Sequence, residues 1–479
     1  MTSSESHQHG LQLEELSDLV SELQSRGVLI SDGISVQQIP GRGLGVVARR
    51  EIPVGERIVQ FPVNALLNPR TVKTAILQEI SEGGPDAASS IFKSTAHANQ
   101  NANVGKQFRP RVSVKGPTAK YAALLDSLSS HQVLAAYLYR ERVRTNSGWT
   151  AFLNVLPTLE SLTGVPMVWN LLDRGRRRFL EYLPASTSEH AARMSNQFWD
   201  DFKAVKDMFI NVEDIELFTW AWLCVNSRCL YYYMSEARTA NDCMTLAPLV
   251  DFLNHSDEEH CSIQIHDAGP AMKFFSLVTT RTYEIDEEIY LSYGAHTNSF
   301  LLCEYGFTLE TNKNTELDIT VELLEILSRG SRKGSCDSRD QKVAKIESPK
   351  LKFLEAHGYL GDYTLSVDTI SFRTEVALAV AQVRAEVCSD QSIDEPKART
   401  LERSQLKSFI SGASNGSKFM TTSAVILSDI LEEIVQKSDL MLAMANDNMK
   451  EEAENRDNIR RLYVERKDIA CAHLRLLHR

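Results

Sequence analysis

The stretch LVDFLNHS, residues 249–256, decides how the rest of this 479-residue chain is interpreted. An apolar run ends in the pair Asn254–His255, and the acidic segment Asp-Glu-Glu-His follows at 257–260. The Asn side chain offers a hydrogen-bond donor and an acceptor, which can pair with the edge of an adenine ring, and the His ring can hold a loop in place. Alone, such a pair is more often a turn with a satisfied histidine. Its surroundings therefore determine what it does.

Short strands are predicted at 245–253, which overlaps this stretch, and after it at 261–267, 273–283 and 287–294. In the last segment, alternation places Ile289 and Leu291 on one face and Tyr290 and Ser292 on the other. An earlier block, residues 28–67, also alternates short Val/Ile segments with turn signals such as PGRGLG and IPVGE. The β structure therefore falls into two blocks that are far apart in sequence.

The remaining segments favour helices. Residues 11–26, most of 121–240 and nearly everything after 315 have apolar residues at helical spacing. Within 121–240, LFTWAWLCVNSRCLYYYM is the strongest candidate for a buried helix, and Leu427, Ile430, Leu431, Ile434 and Val435 form an amphipathic stripe near the C-terminus. Residues 81–120, rich in Ser, Ala, Asn and Gly, are predicted to be a mobile or disordered loop.

Composition restricts the class of protein. The chain has 52 basic and 63 acidic residues, a net charge of -11, which argues against a nucleic-acid surface and favours a protein partner. The N-terminus lacks the basic and apolar regions of a signal peptide, and no apolar run approaches the roughly eighteen residues that a membrane span needs. Eight cysteines are scattered without ligand spacing. We therefore expect a cytoplasmic or nuclear protein with reduced cysteines, no structural metal and no membrane association.

Four stretches then occur in a fixed order: GRGLGVVA (41–48), NSRCLYY (226–232), LVDFLNHS (249–256) and EEIYLSYGAHTNSFLLCEYGF (287–307). Together they resemble the SET-domain protein methyltransferases of the Rubisco large-subunit methyltransferase branch. The resemblance covers nearly the whole chain apart from 81–120. Each motif alone is weak, but four in order with a helical insertion between the first two form a specific signal.

The resemblance implies an α+β fold, in which a β-rich SET domain with a helical insertion precedes an all-α C-terminal domain. The expected boundaries are an N-terminal helical segment at 1–32, a SET domain at 33–68 and 226–310, an insertion at 69–225 and a helical substrate-binding domain at 315–479. The resemblance also implies S-adenosylmethionine (AdoMet) as the cofactor, S-adenosylhomocysteine (AdoHcy) as its product, and no metal.

The cofactor residues implied by the resemblance are Arg42, Gly43, Leu44, Arg228, Asn254 and His255. The glycine-rich GRGLG lacks the G-x-G-x-x-G pattern of dinucleotide folds, and taken alone it fits an ordinary hairpin turn equally well. Arg228 follows an apolar stretch predicted to be helical. A cation at a helix C-terminus is stabilised by the helix dipole, so Arg228 could also be a simple cap.

The catalytic residue implied by the resemblance is Tyr293, and the substrate contacts are Asp251, Leu230, Tyr232, Leu291 and Tyr305. The chain departs from the plant enzyme at Tyr232, where that enzyme has an arginine, and at Thr297-Asn298-Ser299, where plant relatives have Ser-Asn-Ala. His260 and His266 lack a third ligand, so we interpret them as surface or strand histidines.

The implied activity is AdoMet-dependent lysine N-methylation of a non-histone protein, with ribosomal or translation-related substrates expected by analogy with fungal relatives. Two alternatives stay open at this point. One is a histidine acceptor, because a relative in this branch methylates an actin histidine. The other is a catalytically inactive SET-fold scaffold that only binds proteins.

Overall fold

The computed structural model describes residues 3–92, 118–173, 175–209, 212–235, 237, 239–258, 260–267, 273–328, 348–389, 397–449 and 452–478. The chain divides into two compact units, one formed by 1–172 and 193–295 and the other by 173–192 and 296–479. The second unit thus begins nearer residue 296 than 315 and also takes in 173–192. The domain boundaries given above remain predictions.

Among the described residues, the first unit has three antiparallel sheets. Their strands are β1 (Leu29–Ile30), β2 (Ile34–Ile39), β3 (Gly43–Ala48), β4 (Arg57–Pro62), β5 (Leu230–Tyr231), β6 (Met244–Thr245), β7 (Cys261–Asp267), β8 (Lys273–Thr279) and β9 (Glu288–Ile289). The strand orders are β1-β4-β8-β7, β2-β3-β9 and β5-β6.

Two of these sheets join the sequence-distant β blocks. Strand β3 pairs with β9, so that Val46 lies opposite Ile289. Strand β4 pairs with β8, where Phe61 lies opposite Phe275. All four side chains are fully buried, and burial of a side chain of this size contributes about 1.5–3 kcal/mol. The apolar positions of the two blocks therefore form a shared core, as their alternation requires.

The helices that begin in this unit are α1 (Ser3–Ser25), α2 (Pro69–Ile91), α3 (Ala119–Ser127), α4 (Ser130–Val143), α5 (Thr150–Val155), α6 (Pro166–Leu171) and α8 (Ile215–Arg228); the boundary between the units falls within α7 (Ala185–Met208). Helix α8 begins where the Asp214 side chain accepts hydrogen bonds from the next helical amides. Its residues 218–225 are all buried. The predicted buried helix is confirmed, and it ends at Arg228.

Two local predictions were wrong. Residues 81–91 are helical, because α2 continues through Gly84 (φ 65°) as a kink and buries Ala88 and Ile91 beyond it; residues 93–117 lie outside the described residues. The predicted strand 245–253 is instead the short β6 and a 3₁₀ turn, Val250–Phe252. That turn follows Leu249, a buried residue with φ of 77°, which strand geometry does not allow.

The described residues of the second unit are mainly helical, with a short β pairing. Its helices are α9 (Asn298–Tyr305), α10 (Thr320–Ser328), α11 (Pro349–Ala356), α12 (Phe372–Gln382), α13 (Lys397–Ile410), α14 (Ser417–Asn448) and α15 (Ala453–Leu477), and β10 (Leu317–Asp318) pairs with β11 (Thr364–Leu365). The predicted stripe lies on α14, where Leu427, Ile430, Leu431 and Ile434 are buried and Val435 packs beside them. Helix periodicity therefore identified the core-facing side of α14.

Candidate cofactor and active site

The LVDFLNHS stretch, residues 249–256, lies directly beside the segment that contains Tyr293. The Leu291 amide donates to the Asn254 carbonyl at 2.9 Å, and the Ser256 amide donates to the Leu291 carbonyl at 3.3 Å. His255 and Leu291 thereby form a parallel bridge. This short ladder brings together two predicted site segments that are distant in the sequence.

Tyr293 is held at both ends by the same stretch. Its backbone amide donates to Nδ1 of His255 at 3.1 Å, and its hydroxyl donates to the Leu253 carbonyl at 2.8 Å. The two rings stack with centroids 5.0 Å apart. Because Nδ1 accepts a hydrogen bond, a neutral His255 carries its proton on Nε2. Because the Tyr293 hydroxyl donates its hydrogen to a carbonyl, its oxygen can act toward another molecule only as an acceptor.

The Asn254 side chain is fixed by two acceptors. Its Nδ2 donates to Oε1 of Glu288 at 2.7 Å and to the Leu44 carbonyl at 3.3 Å. Gly45 lies against this contact, since a Cβ there would come within 3.1 Å of Asn254 Nδ2 and 3.0 Å of Glu288 Oε1. The predicted residues Leu44 and Asn254 are therefore neighbours, although 210 positions separate them.

Arg42, Gly43 and Leu44 form the turn and the start of β3. The Arg42 amide closes the turn on the Ile39 carbonyl, and Gly43 has a φ of 74°, which a residue with a Cβ adopts only at a cost. The Arg42 guanidinium donates to the Tyr290 hydroxyl at 2.8 Å and lies 3.4 Å from Glu288 Oε2. The backbone of the turn is exposed at Gly43, where it is open to a ligand.

Arg228 and Asp251 form a second polar cluster. Nη1 of Arg228 donates to the carbonyl of Asp251 at 2.9 Å and to Oδ2 of its carboxylate at 3.2 Å. The Asp251 side chain is fully buried, and burial raises the pKa of this carboxyl, an effect that Arg228 opposes. Among the described residues, Asp251 Oδ1 and Arg228 Nε are buried without a hydrogen-bond partner. A buried acceptor and a buried donor of this kind are positions that a polar ligand can satisfy.

Three predicted substrate contacts also lie in the first unit. Leu230 pairs with Thr245 in the β5–β6 ladder, and the Tyr232 amide donates to the Cys243 carbonyl at 3.0 Å. Tyr232 and Leu291 are almost completely buried. Tyr231 and Tyr233, on either side of Tyr232, are exposed by more than 60% of their surface.

Tyr305 belongs to the second unit. It is the last residue of α9, and its ring lies 6.2 Å from that of Phe307. Its place in an aromatic wall around the substrate nitrogen stays a prediction. His260 accepts a hydrogen bond from Nε of Arg281, and no group of three or more potential metal ligands occurs in the part of the chain that the structure describes.

Sequence reasoning missed Glu288 and Gly45. Glu288 contacts Asn254, Arg42 and Tyr290, yet in the sequence it is one of several acidic residues near the start of the strand predicted at 287–294. Its position directly before Ile289 was the available signal, because alternation puts Glu288 and Tyr290 on the same side.

Comparisons with known proteins agree with this architecture. A family model described as the SET domain matches residues 43–294, and one described as the Ribosomal lysine N-methyltransferase 2 C-terminal domain matches 337–476. Ribosomal lysine N-methyltransferase 2 of Saccharomyces cerevisiae is 31% identical over 396 residues, covering 73% of this chain and 78% of the relative. Ribosomal lysine N-methyltransferase set11 of Schizosaccharomyces pombe is 30% identical over 359 residues, covering 73% and 81%.

Solved structures share the fold. The crystal structure of the SET domain of LSMT bound to methyl-lysine and AdoHcy aligns with a TM-score of 0.59 at 14% identity, over 97% of this chain and 91% of that one. The structure of Rubisco LSMT bound to AdoMet aligns with a TM-score of 0.58 at the same identity and coverage.

No helix among the described residues is long and apolar enough to span a bilayer. The chain belongs to the SET-domain family and is an AdoMet-dependent protein-lysine N-methyltransferase of the Rubisco large-subunit methyltransferase-like branch.

Proposed function

We propose that this enzyme methylates a lysine of a ribosomal protein, and that the cluster around Tyr293, Asn254 and His255 is its catalytic centre. The observation that carries the proposal for the site is the joining of Tyr293 to both ends of the Leu253–His255 segment. The substrate class is supported by the two fungal relatives named above and by the match of residues 337–476 to the C-terminal domain of a ribosomal lysine methyltransferase.

The residues of the first unit fit AdoMet. The exposed backbone from Arg42 to Leu44, the amide-bearing Asn254 and the neighbouring His255 would hold the cofactor, and Gly45 keeps the space beside Asn254 clear of a side chain. The unpartnered Nε of Arg228 is a buried donor suited to the cofactor carboxylate. AdoMet supplies a methyl group activated by an adjacent sulfonium charge.

The chemical obstacle is protonation of the substrate lysine. With a pKa of about 10.4, only about one lysine in a thousand is neutral near pH 7.4. An apolar channel disfavours the ammonium by desolvation, and a nearby positive charge repels it. A strong base is therefore not required.

We assign Tyr293 to orienting the amine. Its hydroxyl hydrogen is donated to the Leu253 carbonyl, so its oxygen accepts from an N–H of the substrate. A phenol with a pKa near 10 is poorly matched to general-base catalysis at neutral pH, and alignment of nucleophile and methyl group supplies the rest of the rate enhancement.

The remaining predicted substrate contacts are one carboxyl group and several largely apolar side chains. Asp251 is expected near the substrate lysine, with its buried carboxyl paired with Arg228, and Leu230, Tyr232 and Leu291 are expected to supply apolar surface. For a ribosomal substrate, the cytoplasm or the nucleus is the expected place of action, and neither nucleic acid nor a membrane is an expected partner.

The direct test is tandem mass spectrometry of ribosomal proteins incubated with the purified enzyme and AdoMet. We expect new methyl groups on lysine in a small number of ribosomal proteins. Methylation found only on histidine, or only on proteins outside the ribosome, would contradict the proposed substrate.

Tyr293→Phe tests the proposed role of the Tyr293 hydroxyl in the site. We expect it to abolish most turnover while AdoHcy still raises the melting temperature, because the variant removes the hydroxyl but keeps the ring stacked on His255. A variant with wild-type turnover would remove Tyr293 from the mechanism. A wild-type protein whose melting temperature does not respond to AdoHcy or AdoMet would instead support the scaffold alternative.

A further inference from the structure

We propose that Glu288 is a positioning residue that fixes the orientation of the Asn254 amide, so that Asn254 meets the cofactor with its oxygen and not with its NH₂ group. This inference rests on the proposed cofactor role of Asn254. Nothing in the sequence motifs assigns a function to Glu288.

The two faces of the Asn254 amide are not equivalent. Nδ2 lies 2.7 Å from Oε1 of Glu288 and 3.3 Å from the Leu44 carbonyl, and both of these groups can only accept. Rotating the amide by 180° would place Oδ1 against a carboxylate and a carbonyl, and would lose both hydrogen bonds. The charge-assisted contact with Glu288 is the stronger of the two. Glu288 therefore determines which atom of Asn254 remains available.

Glu288 is itself held in place from three sides. Its backbone is fixed by the β3–β9 pairing, where it lies opposite Val47. Its other oxygen, Oε2, accepts from the Tyr290 hydroxyl at 2.7 Å and lies 3.4 Å from Nη1 of Arg42. With both oxygens engaged, the carboxylate has little freedom to turn away from Asn254.

The surroundings of Gly45 independently show that the Glu288–Asn254 contact is tightly packed. A Cβ at residue 45 would lie 2.5 Å from Ile39 Cγ1 as well as against the Glu288–Asn254 pair. The absence of a side chain there lets β3 approach the pair, so that the Leu44 carbonyl reaches Nδ2.

The consequence concerns recognition. Both hydrogens of Nδ2 have protein acceptors, and Oδ1 accepts no hydrogen bond from any residue that the structure describes. Asn254 thus presents an acceptor, which suits a donor group of the cofactor, such as an ammonium or an exocyclic amine, and rejects an acceptor at that position.

A double-mutant cycle on the full-length protein tests this role, with the dissociation constant of AdoHcy measured by calorimetry. We expect Glu288→Leu, which removes both acceptors, to weaken AdoHcy binding by about ten- to a hundredfold, the range for loss of a charge-assisted hydrogen bond. In an Asn254→Ala background the same change should weaken binding less than about threefold, because Glu288 acts through Asn254. The KM for AdoMet should rise in parallel, while kcat at saturating AdoMet changes much less.

Glu288→Gln separates positioning from charge. Its amide oxygen can still accept from Asn254 Nδ2, so AdoHcy affinity should stay within about threefold of wild type. Glu287→Leu is the neighbouring control: Glu287 pairs with Arg281, has no contact with Asn254, and should leave AdoHcy affinity unchanged.

Three results would decide against the inference: Glu288→Leu with wild-type affinity, an effect of Glu288→Leu that persists in the Asn254→Ala background, or Glu288→Gln as impaired as Glu288→Leu. If Glu288→Leu does not fold, Glu288→Asp replaces it, because the shorter side chain withdraws the acceptor but keeps the charge. Glu288→Asp binding AdoHcy more tightly than Glu288→Gln would then overturn the inference. Failure of the wild-type protein to bind AdoHcy at all would overturn the proposed function instead.

Discussion

Hydrogen-bond polarity at single atoms determines what the candidate site can recognise. Tyr293 donates its hydroxyl hydrogen to the Leu253 carbonyl, and Asn254 donates both amide hydrogens, one to Glu288 and one to the Leu44 carbonyl. Both side chains therefore present oxygen acceptors. A site lined by acceptors suits ligands with N–H donors, and a lysine amine and AdoMet both carry such donors.

Gly45→Ala should damage the site although Gly45 is not itself a predicted cofactor contact. The new Cβ would meet Ile39, Glu288 and Asn254 at 2.5–3.1 Å, and such overpacking costs about 1–3 kcal/mol. We expect AdoHcy affinity to fall by about five- to a hundredfold, since 1.4 kcal/mol corresponds to a factor of ten, and we expect a lower melting temperature.

The matched control is Gly148→Ala, where the nearest atom to a new Cβ is 3.6 Å away, an ordinary contact. Calorimetry with AdoHcy and thermal unfolding of both variants check the prediction. Equal AdoHcy affinity for Gly45→Ala and wild type would show that the strand can move away from the Asn254–Glu288 pair.

At the scale of elements, the second unit ties the start of α9 to α15 through a buried polar contact. Asn298 Nδ2 donates to Oε1 of Glu465 at 2.6 Å and to the Leu309 carbonyl at 2.9 Å, while its Oδ1 accepts from the Leu309 amide. Burial raises the pKa of Glu465 to about 7, although the hydrogen bonds from Asn298 and Thr315 oppose the shift. A carboxyl in such a place is partly protonated near neutral pH.

The raised pKa predicts a pH dependence with a definite sign. The folded protein binds more protons at Glu465 than the unfolded chain between about pH 4.5 and 7, so this contribution to stability is complete below pH 4.5 and is lost as pH rises through 7. Glu465→Gln mimics the protonated acid. The melting temperature of this variant relative to wild type should therefore be higher at pH 8.5 than at pH 5.5.

Thermal unfolding at several pH values measures this difference. Glu454→Gln, at an exposed position of the same helix, is the control for removing one carboxylate from α15. A constant difference for Glu465→Gln would mean that its carboxyl stays ionised in the folded protein across this range.

At the scale of the whole molecule, the net charge of -11 favours association with a basic protein. Such attraction acts over about 10 Å at 0.1 M salt and is screened at higher ionic strength. We expect the KM for a basic protein substrate to rise several-fold between about 50 and 300 mM salt, with little change in AdoHcy affinity. Steady-state kinetics at several salt concentrations check this, and a salt-independent KM would exclude long-range charge from substrate capture.

Much of the architecture could be predicted from local patterns. Alternating residues identified β7, the spacing of Leu427, Ile430, Leu431 and Ile434 identified the buried face of α14, and a largely apolar stretch identified α8. These patterns depend only on the period of a helix or a strand. The loop prediction at 81–91 failed because Gly83, Gly84 and Pro85 act as breakers locally, whereas burial of Ala88 and Ile91 keeps the kinked segment helical.

By itself, the sequence determined which short motifs are present and in what order, and that order sufficed to identify a SET-domain methyltransferase and to name Tyr293, Asn254 and His255. Only the tertiary structure decided how these residues are held: the Asn254 amide by Glu288, the Tyr293 hydroxyl by the Leu253 carbonyl, and Arg228 by Asp251. The physical reason is that hydrogen bonds between distant segments depend on strand pairing and on which atoms already have partners, and neither leaves a period in the sequence.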